Sequence, residues 1–149
     1  MIPIDGFLDP CRTVDLRATT KRDALVEICR VLEGCAHVED PAAFERAILD
    51  REEVMSTGIG LGIAVPHAKI GSVKDFVIAL GRSRAGIEFH SLDGKPVHLV
   101  VLIAGPDNLQ AHYLRVLAGV TLRLKSEDLR RALLEAPSAK DMVAILAKG

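Results

Sequence analysis

The sequence predicts an α/β protein, a three-layer α/β/α domain with a mixed central sheet, and three observations carry that expectation. Two apolar runs suited to strands, Asp75 to Gly81 and Val97 to Ala104, are interspersed with amphipathic helical segments. The second run is continuous enough to be buried on both faces of a sheet, and such a strand needs helices on either side. The chain has 149 residues and no repeat, low-complexity tract or Pro/Ser-rich linker, so residues 1–149 read as one domain able to bury a substantial core.

The elements follow in order. A first helix is expected from about Lys21 to Glu33, capped by Thr19 or Thr20 and stopped by Gly34. Its apolar face is Ala24, Leu25, Ile28, Cys29, Val31 and Leu32. Asp40-Pro41 starts the next helix with a capping carboxylate and a proline in the first turn. That helix presents Phe44, Ala47, Ile48 and then Arg51 on one side, which brings an arginine to the rim of the packed face. Ser56 to Gly62 reads as a loop, and Ile63-Ala64-Val65 as a short strand ended by Pro66-His67. After the two apolar runs, Gly105-Pro106-Asp107-Asn108 is a turn whose Asp107 or Asn108 can cap a helix to about Leu124. Ser126 caps a short helix, and Ser138 with Asp141 offers a capping box for another.

Composition excludes several classes. Formal net charge is −1 and no basic block occurs, so nucleic acid is not expected as a partner. The Val97 to Ala104 run contains His98 and is far too short to span a bilayer, so no membrane insertion is expected. Met1-Ile2-Pro3-Ile4-Asp5 lacks the pattern of a signal peptide. Cys11, Cys29 and Cys35 are an odd number without ligand spacing, which fits a reduced, cytoplasmic setting and no metal site. His37, His90 and His98 read as structural or solvated residues, and Lys125 to Arg131 as a solvated helix face.

The chemistry concentrates between Arg51 and Lys69. Gly58, Gly60 and Gly62 alternate, which frees the backbone to turn N–H groups toward an anion. This is neither a dinucleotide fingerprint, since it precedes a strand, nor a Walker loop, since no Gly-Lys-Ser/Thr follows. By composition alone the plainer reading, a tight helix-to-strand connection, is the preferred one. His67 follows Pro66, which fixes the local backbone. A histidine at that place can be a nucleophile, or simply a satisfied loop-edge residue.

Glu52, Ile59, Gly60, Ile63, Ala64, Val65, Pro66, His67 and Ala68 together resemble the active-site signature of the enzyme IIA domains of the fructose–mannitol class. These are components of the bacterial phosphoenolpyruvate-dependent phosphotransferase system. Arg51-Glu52 and Ser56-Thr57-Gly58-Ile59-Gly60 look most like the nitrogen-regulatory members. The resemblance runs from Phe7-Leu8-Asp9-Pro10 to Ala111-His112-Tyr113-Leu114 and so covers nearly the whole chain. Val54-Met55, Leu61 and Ala68 depart from the nitrogen-type pattern, where smaller residues, Asn and Gly are usual.

The resemblance implies that His67 is phosphorylated on Nε2 by the phosphohistidine of the carrier protein HPr. It implies that His112 is the second active-site histidine, that Arg51 supports the site, and that Thr57 gives a nearby hydroxyl. Ser56, Gly58 and Gly60 would form the phosphate-binding loop. The acceptor would be a IIB cysteine or, in the regulatory branch, a target protein that reads the phosphorylation state. No cofactor or metal is implied, because a phosphoramidate donor is already reactive. Charge in such a transfer spreads over three phosphoryl oxygens, which suits loop N–H groups, Arg51 and an N–H-donating His112. A non-catalytic module is the alternative, since cytoplasmic domains of some anion transporters share the fold without the active histidine. The presence of both His67 and His112 argues against it.

Overall fold

In the computed structural model, which describes residues 2–149, helices begin where a side-chain oxygen holds the first turn. Thr20 Oγ1 accepts from the Asp23 N–H at 3.3 Å to open α1 (Lys21–Arg30), and Asp40 Oδ1 accepts from the Ala43 N–H at 3.1 Å to open α2 (Pro41–Val54). α1 stops at Arg30, earlier than the sequence suggests, because its last residues tighten into a turn. The Leu32 and Glu33 N–H groups bond three residues back, to Cys29 and Arg30, before Gly34 reverses at positive φ. α3 (Gln110–Leu124) also departs from expectation. Neither Asp107 nor Asn108 caps it; Leu109 occupies the N-cap and offers no acceptor, while the Asp107 carboxylate lies against Gly71. Ser126 caps α4 (Glu127–Glu135), and Ser138 with Asp141 caps α5 (Ala139–Lys148), as the sequence indicates.

Six strands form one mixed sheet: β1 (Thr13–Asp15), β2 (Gly58–Gly60), β3 (Ile63–Ala64), β4 (His67–Lys69), β5 (Val77–Ile87) and β6 (Val97–Gly105). The order is β1-β5-β6-β3-β2, and β4 also lies along β6. β5 and β6 pair antiparallel, whereas β1 runs parallel to β5, and β3 and β4 run parallel to β6. Alternate residues of the central pair serve opposite faces. Ile78, Leu80, Leu99, Val101 and Ile103 join the core beneath α3, α4 and α5, while Val77, Ala79, Val100, Leu102 and Ala104 join the core beneath α1 and α2. Each of these larger apolar side chains contributes roughly 1.5–3 kcal/mol by leaving water. Two buried cores on either side of one sheet make the three layers that the uninterrupted Val97 to Ala104 run requires.

Two corrections concern the segment that bears the site. Residues 56–62 are not a plain loop: Gly58–Gly60 is a strand, folded back antiparallel onto β3. The turn uses Leu61 and Gly62, both at positive φ (60° and 76°), the backbone that a tight two-residue hairpin demands. Glycine adopts it freely; leucine does not, so Leu61 stores strain of about 1–2 kcal/mol. The following strand does stop before Pro66, at Ala64, but His67 opens a further strand where the sequence suggests none. Val65 bonds to the Thr57 carbonyl instead of β6, the Pro66 carbonyl accepts from Ile103, and His67 resumes the ladder opposite Ile103 as β4.

Candidate functional site

His67 is half-buried where β4 meets the C-terminal part of β6. Its Nδ1 lies 2.7 Å from the Val65 carbonyl oxygen. A carbonyl only accepts, so Nδ1 carries the proton and Nε2 holds the free lone pair. Burial holds the imidazole below its ordinary pKa of 6.5; the Val65 hydrogen bond opposes that shift, the Arg51 charge adds to it, and Glu52 opposes it. The net direction keeps the ring neutral at physiological pH, the state a nucleophile needs.

Arg51 stands on the last turn of α2, where its Nη1 donates to the Met55 carbonyl at 3.0 Å and fastens the helix end. Its charge also acts on Tyr113. The neighbouring Glu52 is buried and organises the loop. Its Oε1 accepts from the Thr57 N–H at 2.6 Å, its Oε2 accepts from Thr57 Oγ1 at 2.8 Å, and Lys21 Nζ pairs with it at 3.1 Å. Thr57 therefore spends its hydroxyl on Glu52 and its carbonyl on Val65, a two-ended strut from α2 to the backbone that carries His67. Ser56 Oγ donates to the Phe89 carbonyl and accepts from the Gly58 N–H. Asp93 takes the Leu61 N–H. Gly58 presses so closely on Ser91 that a Cβ there would collide with it, and a Cβ at Gly60 would touch Asp93. Thr57, Gly58 and Leu61 thus direct their N–H groups to protein acceptors within this arm.

His112 lies exposed in the first turn of α3, its ring 4.7 Å from Phe76 and 6.3 Å from Phe7, centroid to centroid. The ring beside His67 is the next residue, Tyr113, at 6.2 Å. Adjacent helical residues point about 100° apart, so α3 turns Tyr113 inward and His112 onto Phe76. Phe76 also stacks on Tyr113 at 6.5 Å, so a row of rings joins His67 to His112. Sequence reasoning gave Tyr113 no role, although it is the single tyrosine of the chain and adjoins His112. Lys21 was likewise overlooked, because its partner is distant in sequence.

Other features lie apart. A cleft of about 510 Å³, walled by Lys21, Leu25, Glu52, Glu88 and His90 among others, opens on the α1 side of the Lys21–Glu52 pair and does not include His67. All three cysteines are free, and burial pushes the Cys29 thiol up to about 12. Among the described residues no helix is long and apolar enough to cross a membrane.

Residues 9–149 match the family described as the phosphoenolpyruvate-dependent sugar phosphotransferase system, EIIA 2. The chain belongs to this family of phosphoryl carriers. The fructose-specific EIIA component of Haloferax volcanii is 35% identical over 87% of this chain and 84% of its own length. A nitrogen regulatory protein of Bradyrhizobium diazoefficiens is 30% identical, over 89% of this chain and 86% of its own. The fructose-specific EIIABC component of Bacillus subtilis is 39% identical over 89% of this chain, which spans 21% of that larger protein. Among solved structures, the nitrogen regulatory protein IIA-Ntr of Neisseria meningitidis superposes with a TM-score of 0.88 at 29% identity, covering 96% of this chain and 98% of that one. The EIIA fold is thus common to relatives named for sugar transport and for nitrogen regulation.

Proposed function

We propose that this EIIA chain carries a phosphoryl group on His67 Nε2, receives it in the cytoplasm from the phosphohistidine of an HPr-like carrier, and passes it to a partner protein. The observation that carries this reading is the Nδ1 contact to the Val65 carbonyl, which leaves Nε2 as the attacking atom. The Nε2 lone pair forms the new N–P bond while the donor's N–P bond breaks, and the donor imidazole departs with that electron pair. The positive charge left on the His67 ring is held through Nδ1–H by Val65. Arg51 supplies fixed positive charge for the phosphoryl oxygens, and His112 an N–H donor at the rim. Ser56, Gly58, Gly60 and Thr57 shape the wall of the site and hold the backbone before His67.

The relatives support two readings of the acceptor. An Escherichia coli structure described as a complex of IIA mannitol with phosphorylated IIB mannitol covers 95% of this chain with a TM-score of 0.80 at 25% identity. Identities of 39% and 35% to fructose components, against 30% to the nitrogen regulatory protein, favour a IIB cysteine and a sugar as the onward route. A regulatory target that reads the state of His67 is the second reading, supported by the close superposition with IIA-Ntr.

The test is direct. Incubation with phosphoenolpyruvate, enzyme I and HPr should add one acid-labile, base-stable phosphate, read by intact mass. A wild-type chain that stays unlabelled would sink the reading. His112→Ala should slow labelling by about a hundredfold yet reach the same end point, since His112 donates and does not carry the phosphate. Wild-type rates in that variant would mean that the His112 ring never leaves Phe76 for the phosphoryl group.

The site needs a docking rim. Val54, Met55 and Leu61 flank the His67-bearing segment and are 82%, 64% and 55% exposed, so all three stand outside the core. Exposed apolar side chains on the segment that leads to a reactive residue suit a transient partner. Met55→Glu should raise the HPr concentration needed for half-maximal labelling by about tenfold, with an unchanged circular dichroism spectrum. Unaltered HPr dependence for Glu at each of the three positions would put the docking surface elsewhere.

A further inference from the structure

We propose that the Tyr113 hydroxyl is a phosphoryl-binding group of this site, donating a hydrogen bond to an oxygen of the group on His67; this rests on the carrier reading above. Three observations lead there. First, the fold makes room for the ring: Gly105 ends β6 without a side chain, and a Cβ there would meet Tyr113 Cδ1 at 2.7 Å. Phe76 stacks on one side of the ring and Lys69 Nζ sits 5.5 Å above it, so the phenol is held in one place beside His67. Secondly, the two hydroxyls of the arm that precedes His67 are occupied, Thr57 with Glu52 and Ser56 with the Phe89 carbonyl. Among the described residues no side-chain hydrogen bond engages the Tyr113 hydroxyl, and it is not among their buried unsatisfied atoms. Thirdly, the Tyr113 ring lies 6.2 Å from the His67 ring, centroid to centroid, and the Arg51 charge acts on both groups.

The chemistry suits the role. Burial pushes the phenol up to about 12, so it stays a neutral O–H donor at every working pH and does not repel a dianionic group. A phosphoryl oxygen is a charged acceptor, and hydrogen bonds to charged acceptors are about twice as strong as neutral ones. The donor is fixed before the group arrives, so little ordering is needed at the moment of transfer.

Tyr113→Phe removes the hydroxyl and keeps the ring. Labelling of wild type, Tyr113→Phe and His67→Ala should be timed with HPr as donor and, separately, with phosphoramidate as a small donor that needs no docking surface. The variant should accept phosphate about tenfold more slowly from both donors, shift the ³¹P resonance of its phosphohistidine, and melt at the wild-type temperature. A rate loss with HPr alone would assign Tyr113 to docking and overturn the proposal. So would wild-type rates and an unshifted ³¹P resonance beside an inert His67→Ala. If wild type itself takes no phosphate, the carrier reading fails and this inference fails with it. Should Tyr113→Phe melt lower, 3-fluorotyrosine at this single-tyrosine position keeps the ring and the hydroxyl, and an unaltered ³¹P resonance in that protein overturns the inference.

Discussion

His67→Ala should take up no phosphate from phosphoenolpyruvate, enzyme I and HPr, however long the incubation. The expected effect is complete because the variant has no atom to bond phosphorus. His112 does not take its place: its ring rests on Phe76 and Phe7 and serves as a rim donor, without the carbonyl contact that fixes the His67 tautomer. Intact-mass spectra showing label on the variant would overturn the assignment. The wild-type pH profile gives a second check with a definite sign. Burial lowers the His67 pKa below 6.5, so the neutral nucleophile survives to lower pH than an ordinary histidine would. The acid limb of acceptance from phosphoramidate should have its midpoint below pH 6.5; a midpoint above pH 6.5 would contradict the direction. The same shift makes a stability statement. The unfolded chain takes up the proton first, so the contribution of the neutral ring begins to be lost as pH drops below about 6.5 and is gone below the lowered pKa.

Glu52→Leu should destabilise the protein by about 3–5 kcal/mol, the usual cost of removing one partner of a buried ion pair. The substitution strips the acceptor from the Thr57 N–H and hydroxyl and leaves the Lys21 ammonium, about one-fifth exposed, without its counter-charge. Because the Thr57 carbonyl also holds Val65, the loss should spread to the histidine and slow labelling. Glu52→Gln keeps an acceptor for Thr57 and should lose less on both counts. Urea denaturation gives the stability, and timed labelling the transfer. A Leu variant as stable as wild type would show that the Lys21–Glu52–Thr57 network only offsets its own desolvation.

Much of this protein was determined by sequence alone. The capping oxygens of Thr20, Asp40, Ser126 and Ser138 act within three residues of themselves, so local order was enough to start four helices. The uninterrupted apolar run ending at Ala104 could only be a strand covered on both faces, which fixed the three layers. The motif from Glu52 to Ala68, with Pro66 beside His67, was a linear signal and pointed to the family before any fold was known. Tertiary structure decided what depends on distant partners. Residues 58–60 are a strand only because β3 is there to receive them, and β4 exists only because Ile103 of β6 is there to pair with His67. α3 starts uncapped at Leu109 while the Asp107 carboxylate lies beside Gly71, a placement no local pattern reports. Lys21 reached Glu52 across the α1–α2 layer, and Tyr113 reached His67 because Gly105 left space for its ring. Local propensity sees only neighbours along the chain, whereas a buried charge or an aromatic ring is positioned by whichever surface closes over it.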